Sequence, residues 1–516
     1  MYFVALEGPC PADSKISNRL FKTRSEKHNK GNLSAPLIQG CTVTTISLEA
    51  LKQRLALMED AEIIDRETAD GLRLTFIYIA TLIDQERLNE SILEPLVRTF
   101  QSTVEKSLTT VKITRLSNLE QALQYLMKGS VLVHDSSSER WNAIMLPNSL
   151  SRSIETSETE TIMFGPKDSF SEQLEQNILL IRRRLPLTAL KTERYSVGSL
   201  TQTTVVLMYV DGLINPEFVE VAKNKLSSID FDMFLDSSHV AAFMEDHYHS
   251  IFPQYLQTDR PDSCAYALGI GKLVILVNNT PFALVAPITL FHLFQSPEDY
   301  INRWLVASFL RPLRYLSFFL SITLIPLYVA LTTHHYQMLP LQILYVIIES
   351  RSKLPLSPFW ETFIILVTLE IIKEASLRMP TKTSQNLGVI GGIVIGQAAV
   401  EAGFASKVLI VLAGISAIST FLVPNYLVTK SSLLLQFIFL ILASYLGVPG
   451  ILLGLVGMFA HLNGLTSLNQ PYLAPVSPFY WRDWVDLFVR GPLHAMRNRP
   501  EALRPLNKYR ISRRSK

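Results

Sequence analysis

The alternation of apolar and polar residues changes character near residue 304. Up to about residue 300, short apolar runs are separated by polar turns and helical patterns. Between 304 and 462, long apolar stretches dominate. A bilayer-spanning helix needs about 20 predominantly apolar residues. Residues 313–333 (LRYLSFFLSITLIPLYVALTT) meet this, with a kink expected at Pro326. Residues 359–372 carry Glu361 and Glu370 and span only with their flanks, at roughly 355–375. The runs 387–403 and 408–428 follow, and then 433–462, which is broken at Gly447-Val-Pro-Gly450. The pattern predicts an α-helical polytopic membrane domain over residues 297–480. It has four crossings, or six if 433–462 is a hairpin that passes fully through.

The N-terminal half repeats itself. Residues 207–219 (LMYVDGLINPEFV) resemble 76–88 (FIYIATLIDQERL), aligning Tyr209 with Tyr78, Leu213 with Leu82 and Ile214 with Ile83. In both copies a run of β-formers leads through a turn into an amphipathic helical pattern, at 89–100 and 216–227. Each then has another apolar run, VLVHD at 131–135 and LVILVNN at 273–279. A repeat of this length predicts two related α/β subdomains, over 43–150 and 151–296, and not a short-period solenoid. Residues 1–42 are polar and are expected to be a disordered tail. At the start of the helical region, Ser296 is placed to cap a helix with Pro297 at its first position and Glu298 and Asp299 in its first turn. That helix is expected to continue into the first span and to couple the two halves mechanically.

Charge orients the chain. Of its 516 residues, 48 are Lys or Arg and 45 are Asp or Glu, a net charge of +3. Ten of those basic residues and only three acidic ones fall in 481–516. Under the positive-inside rule this segment reads as a basic cytoplasmic tail, in preference to a nucleic-acid arm. Arg303, Arg311 and Arg314 before the first span place the N-terminal half on the same side, so the number of crossings is even. The three cysteines (Cys10, Cys41, Cys264) have no metal-site or disulfide spacing. The N-terminus lacks the pattern of a secretion signal.

No catalytic motif stands out, and neither an enzyme nor a cofactor is expected. LGIGK at 268–272 lacks the third glycine of a dinucleotide loop and reads as a hairpin turn. His247 and His249 read as a solvated face, and Arg182, Arg183 and Arg184 as salt-bridging residues on an exposed helix.

Several long stretches together resemble the A subunits of GerA-type spore germinant receptors of endospore-forming bacteria. They are FGPKDSFSEQLEQNILLIRRRL (164–185), YVDGLINPE (209–217), TDRPD (258–262), FQSPEDYINRW (294–304), IPLYVAL (325–331), GGIVIGQAAVEAG (391–403) and NQPYLAPVSP (469–478). The likeness extends over roughly 45–510. One departure is Phe164, where the family usually has arginine. The resemblance implies a protein of the spore inner membrane, in line with the multi-pass topology and cytoplasmic termini expected from hydropathy and charge. It implies partnership with a transporter-like B subunit, where nutrients are taken to bind, and a lipoprotein C subunit. It also implies that A subunits form a homo-oligomeric ring that conducts ions.

The segment GVIGGIVIGQAAVEAG (388–403) is glycine-rich yet carries two polar side chains. At about 100° per residue, Gly388, Gly392, Gly396, Ala399 and Gly403 share one helix face, the small-residue stripe that lets helices pack closely in lipid. Ile390, Val394, Gln397 and Glu401 share the opposite face. Periodicity alone leaves that face either packed on other helices or lining a pore. The resemblance favours a pore, with Ile390 and Val394 as an apolar gate and Glu401 favouring cations. The leading function is thus a subunit of a nutrient-responsive ion channel. A secondary transporter and a membrane-anchored scaffold are the alternatives.

Overall fold

In a computed structural model of the chain, the described residues are 46–98 except 70, 104–108, 112–136, 139–148, 157, 160, 162, 164–378 and 396–510. The N-terminal half holds two five-stranded sheets. The first comprises β1 (Ala61–Glu67), β2 (Arg73–Ile79), β3 (Ile113–Leu116), β4 (Ser130–Asp135) and β5 (Arg140–Met145), in the order β1-β2-β4-β5-β3. The second comprises β6 (Leu190–Val197), β7 (Thr203–Val210), β8 (Leu256–Thr258), β9 (Leu273–Val277) and β10 (Ala283–Ala286), in the order β6-β7-β9-β10-β8. These are the same topology written twice. Helices alternate with strands as the sequence implied, but every ladder is antiparallel.

Helices cover both faces of each sheet, which explains why the central strands read as continuous apolar runs. On the first sheet, α1 (Leu48–Leu55) and α5 (Leu119–Met127) bury Ile77, Ile79 and Leu132. The other face packs Phe76, Val131 and Val133 against α2 (Gln85–Leu88), a π-helical turn (Asn89–Leu93), α3 (Glu94–Arg98) and α4 (Val104–Ser107). On the second sheet, α7 (Pro216–Ser227) and α8 (Ser237–Met244) cover Val205, Leu207 and Ile275. Val206, Met208 and Val274 pack against α6 (Leu174–Arg184) and α9 (Pro261–Ile270).

The repeat extends to chemistry. The Tyr78 hydroxyl donates to Glu62 at 2.5 Å, and Tyr209, its counterpart in the second copy, donates to Glu193 at 2.5 Å. In both, burial and the adjacent carboxylate push the phenol well above its ordinary range.

Two expectations change in this half. Arg182 is not on an exposed face. It is fully buried and grips Asp60 of the first subdomain through two 2.6 Å bonds, while Thr192 and Thr81 donate to the same carboxylate. Arg184 pairs with Asp168, and Arg183 donates to the Asn148 carbonyl. LGIGK is not a hairpin turn. Gly271, at φ 98°, closes α9 in the left-handed conformation, and the chain then enters β9.

The C-terminal half is helical. After the short α10 (Glu298–Ile301) come α11 (Trp304–Thr333), α12 (Leu341–Arg351), α13 (Pro358–Leu377), α14 (Gly396–Glu401), α15 (Lys407–Phe421), α16 (Tyr426–Leu446) and α17 (Val448–Gly464). Among the described residues, α11 and α16 are long and apolar enough to cross a membrane, while α15 and α17 are shorter apolar helices. The boundaries differ from the sequence reading at 408–428. Pro424 and Asn425 interrupt that run, and Asn425 caps α16 by accepting from the Leu427 and Val428 amides.

Hydrogen bonds fix the direction of each helix. Ser431, early in α16, donates to the Ile251 carbonyl of the second subdomain, while Ser444 near its end accepts from His334 at the end of α11. Helices α11 and α16 thus run parallel, away from the sheets. The turn at Gly447 lies at the far end, against His335, and α17 returns until His461 meets Ser250 at 3.0 Å. Helix α15 also runs back: Ser406 at its start meets Tyr328 far along α11, and Ser416 donates to the Ser321 carbonyl. Helix α13 runs in the same sense, from Glu361 beside Ser406 to Glu374 beside Lys430 near the start of α16.

Candidate functional site at the junction of the two halves

The expected continuous helix from Ser296 into the first apolar helix is absent. The first turn does form where predicted, with the Ser296 hydroxyl accepting from the Glu298 amide and the Asp299 carboxylate accepting from the Ser296 amide. It ends after Ile301 because Asn302 and Arg303 are extended, at ψ 167° and 135°. Two carbonyls at this break, of Tyr300 and Asn302, accept from the buried Arg490 guanidinium, so the interruption is satisfied by the C-terminal segment.

Rigidity is supplied instead by buried ion pairs. Asp299 accepts from Arg311 Nε and Arg314 Nη1, both at 2.8 Å. Arg311 Nη1 also reaches the Asp486 carboxylate at 2.7 Å and its carbonyl at 2.9 Å. Tyr300 donates to Asp486 at 2.8 Å, and its ring lies 5.5 Å from the Arg311 guanidinium and 5.4 Å from that of Arg490. Burial and Asp486 push the Tyr300 hydroxyl well above its ordinary range. Arg311 and Arg314 lie inside α11, which begins at Trp304, and Asp299 and Asp486 offset their charge. Asp486 is the partner that the sequence reading missed.

The basic tail is folded through residue 510. The hairpin of β11 (Thr466–Ser467) and β12 (Gln470–Pro471) joins the second subdomain through Ser467, which donates to the Gln254 carbonyl, and Tyr472, which donates to that of Pro253. Further on, the Leu506 amide donates to the Leu213 carbonyl and Arg499 Nε to that of Gly269.

The glycine-rich segment is described only in part: Gly388, Ile390, Gly392 and Val394 lie outside the described residues. Gly396 faces Ile410 of α15, and Ala399 is half-buried against the cluster around Ile325 and Leu409. Gly403 is not part of a packing stripe. At φ 70° it ends the helix in a left-handed turn near the Lys353 carbonyl. Gln397 and Glu401 are exposed on this chain, and Gln397 Nε2 donates to Glu401 at 2.8 Å. Nearby, Glu361 is fully buried, accepts from the Ser406 amide at 2.7 Å and lies 3.2 Å from Arg351. His247 and His249 are exposed, in line with a solvated face.

Residues 49–502 match the profile of the Bacillus/Clostridium GerA spore germination proteins. Spore germination protein GerQA of Bacillus cereus is 34% identical over 90% of this chain and 95% of its own length. Spore germination protein KA of Bacillus subtilis is 34% identical over 86% of this chain and 82% of its own. A Bacillus subtilis relative described as an uncharacterized membrane protein, YfkQ, is 31% identical over 84% of this chain and 85% of its own. The crystal structure of the N-terminal domain of the A subunit of the Bacillus megaterium spore germinant receptor GerK3 aligns with 48% of this chain and 98% of its own, at 23% identity and a TM-score of 0.38. The chain belongs to the GerA family of spore germination proteins, the A subunits of germinant receptors.

Proposed function

We propose that this chain is the membrane-embedded A subunit of a nutrient-responsive germinant receptor, and that several copies assemble in the spore inner membrane into a gated ion channel. The observation that carries the proposal is the position of Gln397 and Glu401. They are bonded to each other and exposed on their own chain, within a helical region whose exposed surface is largely apolar. An intramembrane carboxylate facing lipid is costly, so such groups face protein or water. A ring of copies with this face turned inward supplies that water.

The outer apolar surface supports a lipid setting. Leu341, Tyr345, Val411, Ile418, Leu453 and Val456, on α12, α15 and α17, are all exposed, and exposed apolar surface on this scale marks a membrane or protein interface. The directions of α11, α13, α15, α16 and α17 support the six-crossing count, the expected span 387–403 lying largely outside the described residues. Because the segment up to Arg510 folds onto the second subdomain, the two lie on one side, which we assign to the cytoplasm from the basic tail. The B and C subunits are the expected partners.

Reconstitution of the purified receptor in liposomes tests the proposal. Passive, multi-ion flux is expected. Stoichiometric coupled uptake would make the assembly a transporter, and no flux under any nutrient condition would leave the chain a scaffold.

A further inference from the structure

A cavity of about 340 Å³ lies where the second subdomain, the 3₁₀ turn Leu290–Phe294 and the C-terminal segment meet. Its wall includes Tyr266, Phe291, Tyr300, Trp481, Arg499 and Arg510. Its charges are unevenly matched. The acidic side chains at the wall are already engaged: Asp486 by Arg311 and Tyr300, Asp483 by the Glu501 and Ala502 amides at 2.8 and 2.9 Å. Arg482 is paired with Glu501. Arg499 and Arg510 have no carboxylate partner among the described residues. Among the described residues, the Arg499 guanidinium donates to the carbonyls of Gly269, Asn507 and Tyr509 and to no carboxylate. Arg510 reaches the Tyr266 hydroxyl at 3.4 Å and lies 5.7 Å from its ring centre, with a buried Nε that meets no acceptor.

Two guanidiniums at one half-buried cavity repel each other, and burial together with Arg510 lowers the Arg499 pKa from its ordinary value. His292, also at the wall, is held neutral by burial. An anion would relieve this imbalance, because buried charge is tolerated when paired and hydrogen-bonded. The aromatic walls favour a flat or apolar body over a bare inorganic ion.

We propose that this cavity binds a small organic carboxylate, its anionic end between Arg499 and Arg510 and its planar or apolar body beside Tyr266 and Trp481. The site is independent of the channel reading. Tyr300 and Asp486 form part of its wall and bond directly to one another and to Arg311, so occupancy reaches the start of α11 through two contacts.

Isothermal titration of the purified full chain in detergent tests the site, with benzoate, its neutral isostere benzamide, and inorganic phosphate as probes. Benzoate is expected to bind at one site per chain, with benzamide and phosphate each weaker by about tenfold or more. Arg510→Gln should weaken benzoate by about tenfold without shifting the melting temperature, because its side chain's hydrogen bond to Tyr266 is long and peripheral and its backbone bond is kept. If that variant proves unstable, Tyr266→Leu supplies the second test and should weaken benzoate more than phosphate. Absence of benzoate binding, equal binding of benzoate and benzamide, or phosphate binding as tightly as benzoate would each overturn the assignment.

Discussion

Replacing Asp299 with asparagine keeps its shape and removes its charge from the junction. In the native chain this carboxylate is 1% exposed and accepts from two guanidiniums at 2.8 Å. After Asp299→Asn, Arg311 still has Asp486, but Arg314 keeps only the Phe294 carbonyl at 3.1 Å. Breaking a buried ion pair by removing one partner costs about 3–5 kcal/mol, most of it the penalty for the charge left behind. Because Asp486 still offsets Arg311, the lower part of that range, about 3 kcal/mol, is expected. The assay is thermal unfolding of the full chain in detergent, with Arg303→Gln as control, since Arg303 is exposed at the same junction. Adding Arg314→Gln to Asp299→Asn removes the stranded charge and should restore part of the loss, a non-additivity measurable in a double-mutant cycle. If Asp299→Asn melts within error of Arg303→Gln, the junction is not held by these ion pairs.

Three further outcomes follow from the same reasoning. Asp60→Ala leaves Arg182 buried without a counter-ion between the subdomains and should destabilise the chain by about 3–5 kcal/mol in denaturant unfolding; a loss below about 1 kcal/mol would place that pair among the weak surface bridges. Gly447→Ala puts a Cβ 2.5 Å from His335 Cε1 at a residue with φ 66°, so it should cost at least about 1–3 kcal/mol in thermal stability, and a neutral effect would mean that the turn is not as described. Lys272 is buried and its pKa is pushed down from 10.5 to about 7. The unfolded chain therefore binds the proton more tightly, and stability should rise with pH between about 7 and 10.5. Lys272→Met should raise stability at pH 7 and flatten that rise; an unchanged slope would mean that Lys272 stays charged in the fold.

The parts of this fold that were legible were those written in periodicity. The matching runs at 76–88 and 207–219 pointed to two related α/β subdomains; that the two sheets share one strand order, and that the aligned tyrosines each bond a glutamate on the neighbouring strand, came from the structure. The Gly447–Gly450 break marked the turn between α16 and α17. What escaped were charges whose partners are distant in sequence. Arg311 and Arg314 read as flanking charges before the span; the carboxylates of Asp299 and Asp486 that offset them inside α11 are not marked by any local pattern. Arg182 stood in a run of three arginines, and nothing local distinguished the one that reaches Asp60. The break at Asn302 was hidden for the same reason, since Arg490 satisfies its carbonyls from far along the chain. At the glycine-rich segment, the face bearing Gln397 and Glu401 was readable from helical spacing, whereas the role of Gly403 as a terminating turn needed its backbone angle.

The central proposal is that the face bearing Gln397 and Glu401 lines a water-filled, ion-conducting path. Gln397→Cys, in a chain whose three native cysteines are serine, puts a thiol on that face. Ion flux through the reconstituted receptor is then recorded while a charged, water-soluble thiosulfonate is added, with the extent of labelling read by mass. The account predicts rapid labelling and a fall in nutrient-triggered flux, steeper for a cationic reagent than for an anionic one because Glu401 sits one turn away. Complete labelling with flux unchanged, or a thiol unreactive from water while flux is intact, would contradict it.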